Sequence, residues 1–333
     1  MTTDRTQPDH QPVEVGHSAL PNRQSAGFDQ VLIDATELLD TELPASRFVD
    51  PSYLQHLYRA NPHGPGFESN TYDDGQLVSH YGLIPQEFRT PDGPISALFS
   101  LNAAIRSTHQ KQGNFTRVAL DLYKEVVRRQ VRVGTAVTNA NSTTAAVKYL
   151  GWRLLGPMPV IVAPPLHRPE RLVTHHQASA TYLHSREFAG VAEELDAHPV
   201  TGYTNRYSVE YLRWRLGWPN CDYTVHVGDE LVAITTKTAQ SGVPAAAVLK
   251  LLPRTGRSGP LNPGPLITSI LVHHRAPFAV YAGWNAHAQV KGFSPPRRLL
   301  PSPLNALVRS FTPEIDNSEI TLDTFEFLDM DAY

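Results

Sequence analysis

Apolar positions recur at Phe115, Val118, Ala119, Leu122, Tyr123, Val126 and Val127, the i, i+3, i+4, i+7 spacing of a helix with one buried face. Arg117, Asp121, Lys124, Glu125 and Arg128 fall elsewhere on the wheel. This pattern predicts a helix ending near Gln130 and a strand over 131–137. Upstream, a strand over 95–105 is separated from the helix by the polar stretch 109–113. Strand, loop, helix and strand make a βαβ unit with its loop at the helix N-terminus. Before it the chain reads as a short helix over 51–59, with Pro51 in its first turn. A turn-rich loop, Asn61-Pro62-His63-Gly64-Pro65-Gly66, follows. The turn Asp73-Asp74-Gly75 then leads into a strand over 76–84, and Pro91-Asp92-Gly93-Pro94 makes another turn. Successive hairpins ahead of a βαβ unit argue against a fully parallel, doubly wound sheet.

The second half also reads as mixed. One helix carries Tyr207, Tyr211, Trp214 and Arg215, and strands are expected over 223–227, 231–236, 245–252, 265–272 and 320–328. The two halves share an order of elements, which hints at an old duplication. Residues 1–27 hold Pro8, Pro12 and Pro21 and little that could be buried, so they are expected to form a disordered tail. The proline-rich, charged run from Pro164 onward suits a linker over 164–177. The expected division is therefore a first domain over 28–163 and a second over 178–333.

Length and composition fit two domains: 333 residues, 41% hydrophobic and 18% charged. Lys and Arg number 29 against 32 Asp and Glu, a net charge of −3, which argues against a general nucleic-acid binder. The single cysteine, Cys221, excludes an intramolecular disulfide and any site built on several cysteines. No apolar stretch approaches membrane-helix length and the N-terminus lacks a signal-peptide core, so a cytoplasmic protein without membrane contact is expected. The 15 histidines include the pairs His175-His176 and His273-His274, but no metal-ligand spacing accompanies them, and no metal is expected.

The chemistry points to the loop Gln110-Lys111-Gln112-Gly113-Asn114. A helix N-terminus offers unpaired backbone N–H groups and a partial positive charge, to which Gly113 adds close backbone approach and Lys111 adds charge. Neither a Walker pattern nor GxGxxG is present. An ordinary loop capped by Asn114 is the plain alternative.

Here the sequence resembles the GNAT superfamily of acyl-CoA-dependent N-acyltransferases, whose signature is Gln/Arg-x-x-Gly-x-Gly/Ala between a long strand and an amphipathic helix. It stands as Gln110-Lys111-Gln112-Gly113-Asn114-Phe115. Asn139-Ala140-Asn141-Ser142, then Leu150-Gly151-Trp152, is similar to the second GNAT motif. Asn61-Pro62-His63-Gly64 and Leu77-Val78-Ser79-His80-Tyr81 resemble a two-domain bacterial branch. Tyr207 through Trp214-Arg215 and Tyr223, with the ending 325–333, are similar to that branch's C-terminal domain, here without a pyrophosphate loop. The expected fold class is therefore α/β (α+β), with two GNAT-like domains of mixed, mostly antiparallel sheets flanked by helices, the second degenerate.

The resemblance implies acetyl-CoA or another acyl-CoA as cosubstrate, and transfer of its acyl group to the amine of a small molecule. Asn102, Ala103, Ala104 and Ile105 would lie beside the thioester and pantetheine. Gln110, Lys111, Gln112, Gly113, Asn114, Phe115 and Thr116 would hold the pyrophosphate, with Asn139, Asn141 and Ser142 nearby. Two departures stand out: Phe115 replaces Gly or Ala, and Val147 replaces the tyrosine that often protonates the leaving thiolate. Tyr149 is two residues away. His80 and Glu68 are candidate bases, each with a structural role as its plain alternative. His80 and Tyr81 are expected to face an acceptor wall in the second domain, to which the aromatic segment 207–218 would contribute. An aminoacyl-tRNA-dependent transferase and a non-catalytic binding or regulatory module are the rival readings. Oligomeric state is not readable.

Overall fold

The computed structural model describes residues 15–16, 29–43, 50–110, 114–218, 221–240, 242–254, 260–296 and 304–330. The expected tail lies almost wholly outside these. Its described part, β1 (Val15–Gly16), pairs with Asn70–Thr71.

In chain order, α1 (Gln30–Glu42) and α2 (Pro51–Arg59) come first, with Asp29 and Asp50 capping their N-termini. The meander β2 (Phe67–Asp73), β3 (Gln76–Thr90) and β4 (Gly93–Ile105) follows. Asp74 and Gly75 both take positive φ at the first turn, as a two-residue hairpin requires. Next come α3 (Asn114–Arg128), β5 (Val133–Thr138), α4 (Ala140–Tyr149) and β6 (Arg153–Pro157). Val118, Ala119, Leu122, Tyr123 and Val126 of α3 are buried, whereas Val127 is exposed and leaves the expected face.

The second half contains β7 (Val160–Ala163), β8 (Thr174–Gln177), α5 (Ala180–Leu183), α6 (Arg186–Asp196), β9 (Thr204–Asn205) and α7 (Val209–Leu216). Then come β10 (Tyr223–Val227), β11 (Leu231–Gln240), β12 (Val243–Pro253), α8 (Gly264–His274), β13 (Ala279–Asn285), β14 (Asn305–Ser310) and β15 (Thr324–Glu326). The strand expected over 265–272 is in fact α8. Residues 266–271 are buried on every side, so no 3.6-residue period shows in the sequence. Of the strand expected over 320–328, only β15 forms.

Two mixed, mostly antiparallel sheets result. The first runs β1-β2-β3-β4-β5-β14-β6, with β9 on β3. The second runs β15-β13-β12-β11-β10-β8, with β7 on β13. Each has the same kernel: an antiparallel meander, then a helix, then a strand parallel to the meander's last (β4–α3–β5 and β12–α8–β13). One apolar core joins the sheets, α1, α2 and α7; smaller clusters lie beneath α3 and α8. No described helix is long and apolar enough to cross a membrane.

The sheets do not divide the chain at 163/164. β7, from the first half, pairs antiparallel with β13, and β14, from near the C-terminus, lies between β5 and β6. The expected linker includes β8, an edge strand of the second sheet. The two sheets have thus exchanged strands. Ala306, Leu307 and Val308 of β14 are fully buried, so a fragment ending at residue 177 leaves β5 and β6 without their shared neighbour. We expect this fragment not to unfold cooperatively in urea; a full-chain-like transition would refute the interdependence.

The histidine pairs meet between β8, β10 and α8. His175 faces His226 across β8 and β10, with Nδ1 to Nδ1 at 2.6 Å, while His273 and His274 end α8 rather than sitting on a strand. Thr235 Oγ1 lies 2.7 Å from both His226 Nε2 and His274 Nε2. The other titratable groups facing these rings are His176 and Lys237, with no carboxylate bonded to the four rings among the described residues. No described group of His, Cys, Asp or Glu is arranged to hold a metal ion. Burial lowers His226 to about 2, and lowers the separately buried His80 to about 3. Both stay neutral when folded but take up protons when unfolded, so stability present above about pH 6.5 is lost as the pH falls. Each histidine removes about 2 kcal/mol by about pH 5. His274, lowered by burial to about 4, acts in the same direction, so urea unfolding between about pH 7 and 5 should show a loss of about 4 kcal/mol or more; a flat profile would contradict it.

Candidate functional site

β4 and β5 pair in parallel only from Ala97↔Val133 to Ser100↔Ala136. Beyond that point β4 continues along β3 and β5 along β14, so the two strands part. Among the described residues no strand enters this fork. A bulge sits beside it: His80 opposes Ala104 and Gly82 opposes Leu101, leaving Asn102 and Ala103 together opposite Tyr81. Asn102 has φ 52°, a left-handed conformation that asparagine tolerates better than most side chains. Ala103 is exposed at the opening.

Polar networks back the fork on both faces. Toward the second sheet, Asn102 Nδ2 donates to the Tyr58 oxygen at 3.0 Å, and Tyr58 lies 3.1 Å from His80 Nε2. His80 Nδ1 is 2.7 Å from Asn70 Oδ1. Because Asn102 can only donate through Nδ2, the Tyr58 proton goes to His80 Nε2 and the histidine proton to Asn70. Tyr58 also fills the space beside Gly82, where any Cβ would run into its hydroxyl. On the α3 face, Trp152 Nε1 donates to the Tyr123 oxygen at 2.8 Å, Tyr123 and Tyr81 hydroxyls are 3.1 Å apart, and Tyr81 is 2.8 Å from Ser100 Oγ. The Arg309 guanidinium, brought in by β14, lies 4.3 Å over the Tyr123 ring.

The candidate bases sit differently from expectation. His80 is fully buried with both ring nitrogens engaged, so it does not reach an acceptor at the fork. Tyr81 is on the opposite face of β3, as strand alternation demands, and points under α3 rather than toward the second sheet. Glu68 is buried against Arg59, and burial pushes its pKa up despite that partner. Tyr149 and Val147 are both exposed on α4; the Lys148 ammonium lies 5.3 Å from the Tyr149 ring centre.

Of the expected cosubstrate residues, Ala104 is buried, Asn102 and Ile105 are half-buried, and all line β4 beside the fork. Gln110 Nε2 donates to the Ile105 carbonyl at 3.1 Å. Lys111, Gln112 and Gly113 lie outside the described residues, and α3 starts at Asn114. Phe115 packs edge-on against Tyr81 at 5.4 Å, which explains a bulky residue there, and Thr116 is half-buried. Asn139 caps α4 by accepting from the Asn141 and Ser142 N–H groups, so this trio builds the helix start beside β5.

The second sheet has a fork of the same form, and it is filled. β12 and β13 pair in parallel only to Val248↔Tyr281, and Leu249 is the extra residue opposite Ile234 and Thr235. Beyond that, β15 takes up Gly283–Asn285 of β13. Gly283 has φ 123°, and a Cβ there would strike the Phe325 carbonyl. The fully buried Lys250 bonds Thr324 Oγ1 at 2.9 Å, Asp329 at 2.6 Å and Glu326 at 2.9 Å. Burial opposes the charge on Lys250, but Asp329 and Glu326 outweigh it and raise its pKa. Tyr207 donates to Asp329.

The segment 207–218 is spent on packing. Trp218 lies 4.0 Å from Tyr53, Trp214 stacks on His56 at 5.5 Å, and Tyr211 and Trp214 line a narrow gap between α7 and the first sheet. That gap has room for no more than about one water. The segment 207–218 therefore offers no open acceptor wall at this gap. Sequence reasoning missed Tyr58, Asn70, Ser100, Tyr123 and Arg309 as members of the site. The alternation that places Ser100 on the same face as Leu98, beneath α3, was the available signal for one of them.

No family model matches the chain, and no curated protein matches it. Solved structures do. A GCN5-related N-acetyltransferase from Anabaena variabilis superposes with a TM-score of 0.61 at 9% identity, covering 85% of this chain and 71% of that one. A probable N-acyltransferase from Enterococcus faecalis gives 0.54 at 11% identity, with 85% and 70% covered. Eis1 from Mycobacterium abscessus gives 0.51 at 12%, with 87% and 73% covered. The chain has the GNAT fold.

Replacing Lys250 by Met would leave two buried carboxylates without their cation. We expect a loss of about 3–5 kcal/mol in urea unfolding of the full chain; a loss under about 1 kcal/mol would mean the filled fork does not depend on the ion pairs.

Proposed function

We propose that the chain is an acyl-CoA-dependent N-acyltransferase that moves an acyl group, acetyl first among the candidates, to the amine of a small molecule. The observation that carries this is the fork between β4 and β5, which no described strand enters, with α3 starting at Asn114 a short way beyond the end of β4. The acyl-CoA would enter as a substrate, with its pantetheine along 101–105 and its pyrophosphate on the loop and helix start. The GNAT likeness of the solved structures, two of them named as transferases, supports the same reading.

A neutral amine attacks the thioester carbonyl, and backbone N–H groups at the bulge stabilise the oxyanion. The neutral, enclosed His80 keeps the bulge in place through Tyr58 and Asn102 rather than taking the amine's proton, which passes to water. The tetrahedral intermediate collapses as the C–S bond breaks and its electron pair goes to sulfur. A free thiol ionises near pH ~8.5, so this leaving group needs less acid help than an alkoxide.

Acetyl-CoA titrated into the full chain by calorimetry tests the reading. Binding by the natural chain and its loss in Gly113→Asp, through bulk and charge at the phosphate loop, is the expected result. No heat of binding in the natural chain, or undiminished affinity in the variant, would overturn it.

A further inference from the structure

The α3-face network allows one direction, from the indole to Ser100. An indole nitrogen only donates, so Trp152 makes the Tyr123 oxygen an acceptor. The Tyr123 proton is then free for Tyr81 at 3.1 Å, and the Tyr81 proton for Ser100 Oγ at 2.8 Å. Arg309, another pure donor, lies against Tyr123 and favours the same polarity. In that arrangement the last proton of the series belongs to Ser100. That residue is half-buried, stands at the final β4–β5 pair where the strands part, and shares the α3 face with Tyr81.

We propose that the Ser100 hydroxyl donates a hydrogen bond to the departing sulfur of the thioester, and that Tyr81, Tyr123 and Trp152 are positioning residues that aim it. The inference rests on the acyl-CoA reading above and deepens it. Ser100 would thus stand in for the tyrosine that Val147 replaces. Chains of hydrogen bonds polarise one another, so the two phenols and the indole strengthen the final donor.

The hydroxyl lends a hydrogen bond and keeps its proton. Burial raises the Tyr81 phenol well above its ordinary value, with the neighbouring Tyr123 adding to the effect. A proton from that chain to a thiolate of pKa ~8.5 would run uphill. As the C–S bond breaks, its electron pair settles on sulfur, Ser100 supports the new charge, and the thiolate takes its proton from water.

The test uses the full chain with acetyl-CoA, reading thiol release with water as nucleophile and with a panel of primary amines. Ser100→Ala should lower kcat about 10–100-fold, the worth of one hydrogen bond to a charged group. Its acetyl-CoA affinity by calorimetry should stay within about twofold. Ser100→Thr, which keeps the hydroxyl, should restore most of the rate. Tyr81→Phe should lower kcat while leaving the shape of its pH profile unchanged, because no proton moves along the chain. Undiminished turnover in Ser100→Ala, or an equal loss in Ser100→Thr, would overturn the role of Ser100 and leave the transferase reading standing. If the natural chain binds no acetyl-CoA, or binds it and releases no thiol, the reading falls and the role of Ser100 with it.

Discussion

Exchange of β7 and β14 between the sheets is the constraint on which the rest of the molecule depends. In each half, the strand parallel to the end of the meander needs an antiparallel neighbour, and it finds one in the other half's chain. β14 is a buried central strand, with hydrogen bonds to β5 on one side and β6 on the other. It also brings Arg309 to the Tyr123 ring and Asn305 Nδ2 to Thr143 at 2.8 Å, just inside α4. The geometry around the first fork is therefore partly set from the far end of the chain.

The two forks share a scaffold and differ in their contents. Each sits beside a bulge in the last strand of a meander, and each leads into a helix. In the second sheet, Lys250, Glu326 and Asp329 close the space with charged hydrogen bonds that are buried and mutually compensated. In the first, the nearby polar groups are tied back into the walls. Asn102 is held by Tyr58, and Ser100 by Tyr81. One half has turned its opening into core, and the other has kept it lined.

The kernel of the first half was legible because its signals are local. The period of α3, the Asp-Gly turn and the proline at the start of α2 each act within a few residues. The GNAT resemblance at 110–115 likewise pointed to the strand and helix that flank the fork. α8 was misread because burial on all sides erases periodicity. Which of its two expected roles His80 takes was not legible, because a histidine on a strand looks the same whether its surroundings are wet or sealed. The partners that seal it, Tyr58 and Asn70, come from α2 and β2 and carry no local mark. Strand exchange was invisible for the same reason: Thr138 and Asn305 are 167 residues apart, and nothing near either announces the other.

That separation also has a meaning in time. A ribosome adds roughly 5–20 residues per second, so β5 emerges on the order of ten seconds or more before the strand that completes it. During that interval β5 and β6 have no strand between them, and the nascent first half presents unpaired β edges to whatever is nearby. Closure of the first sheet is thus deferred until nearly all of the second has been made, and the order of synthesis sets the order of assembly.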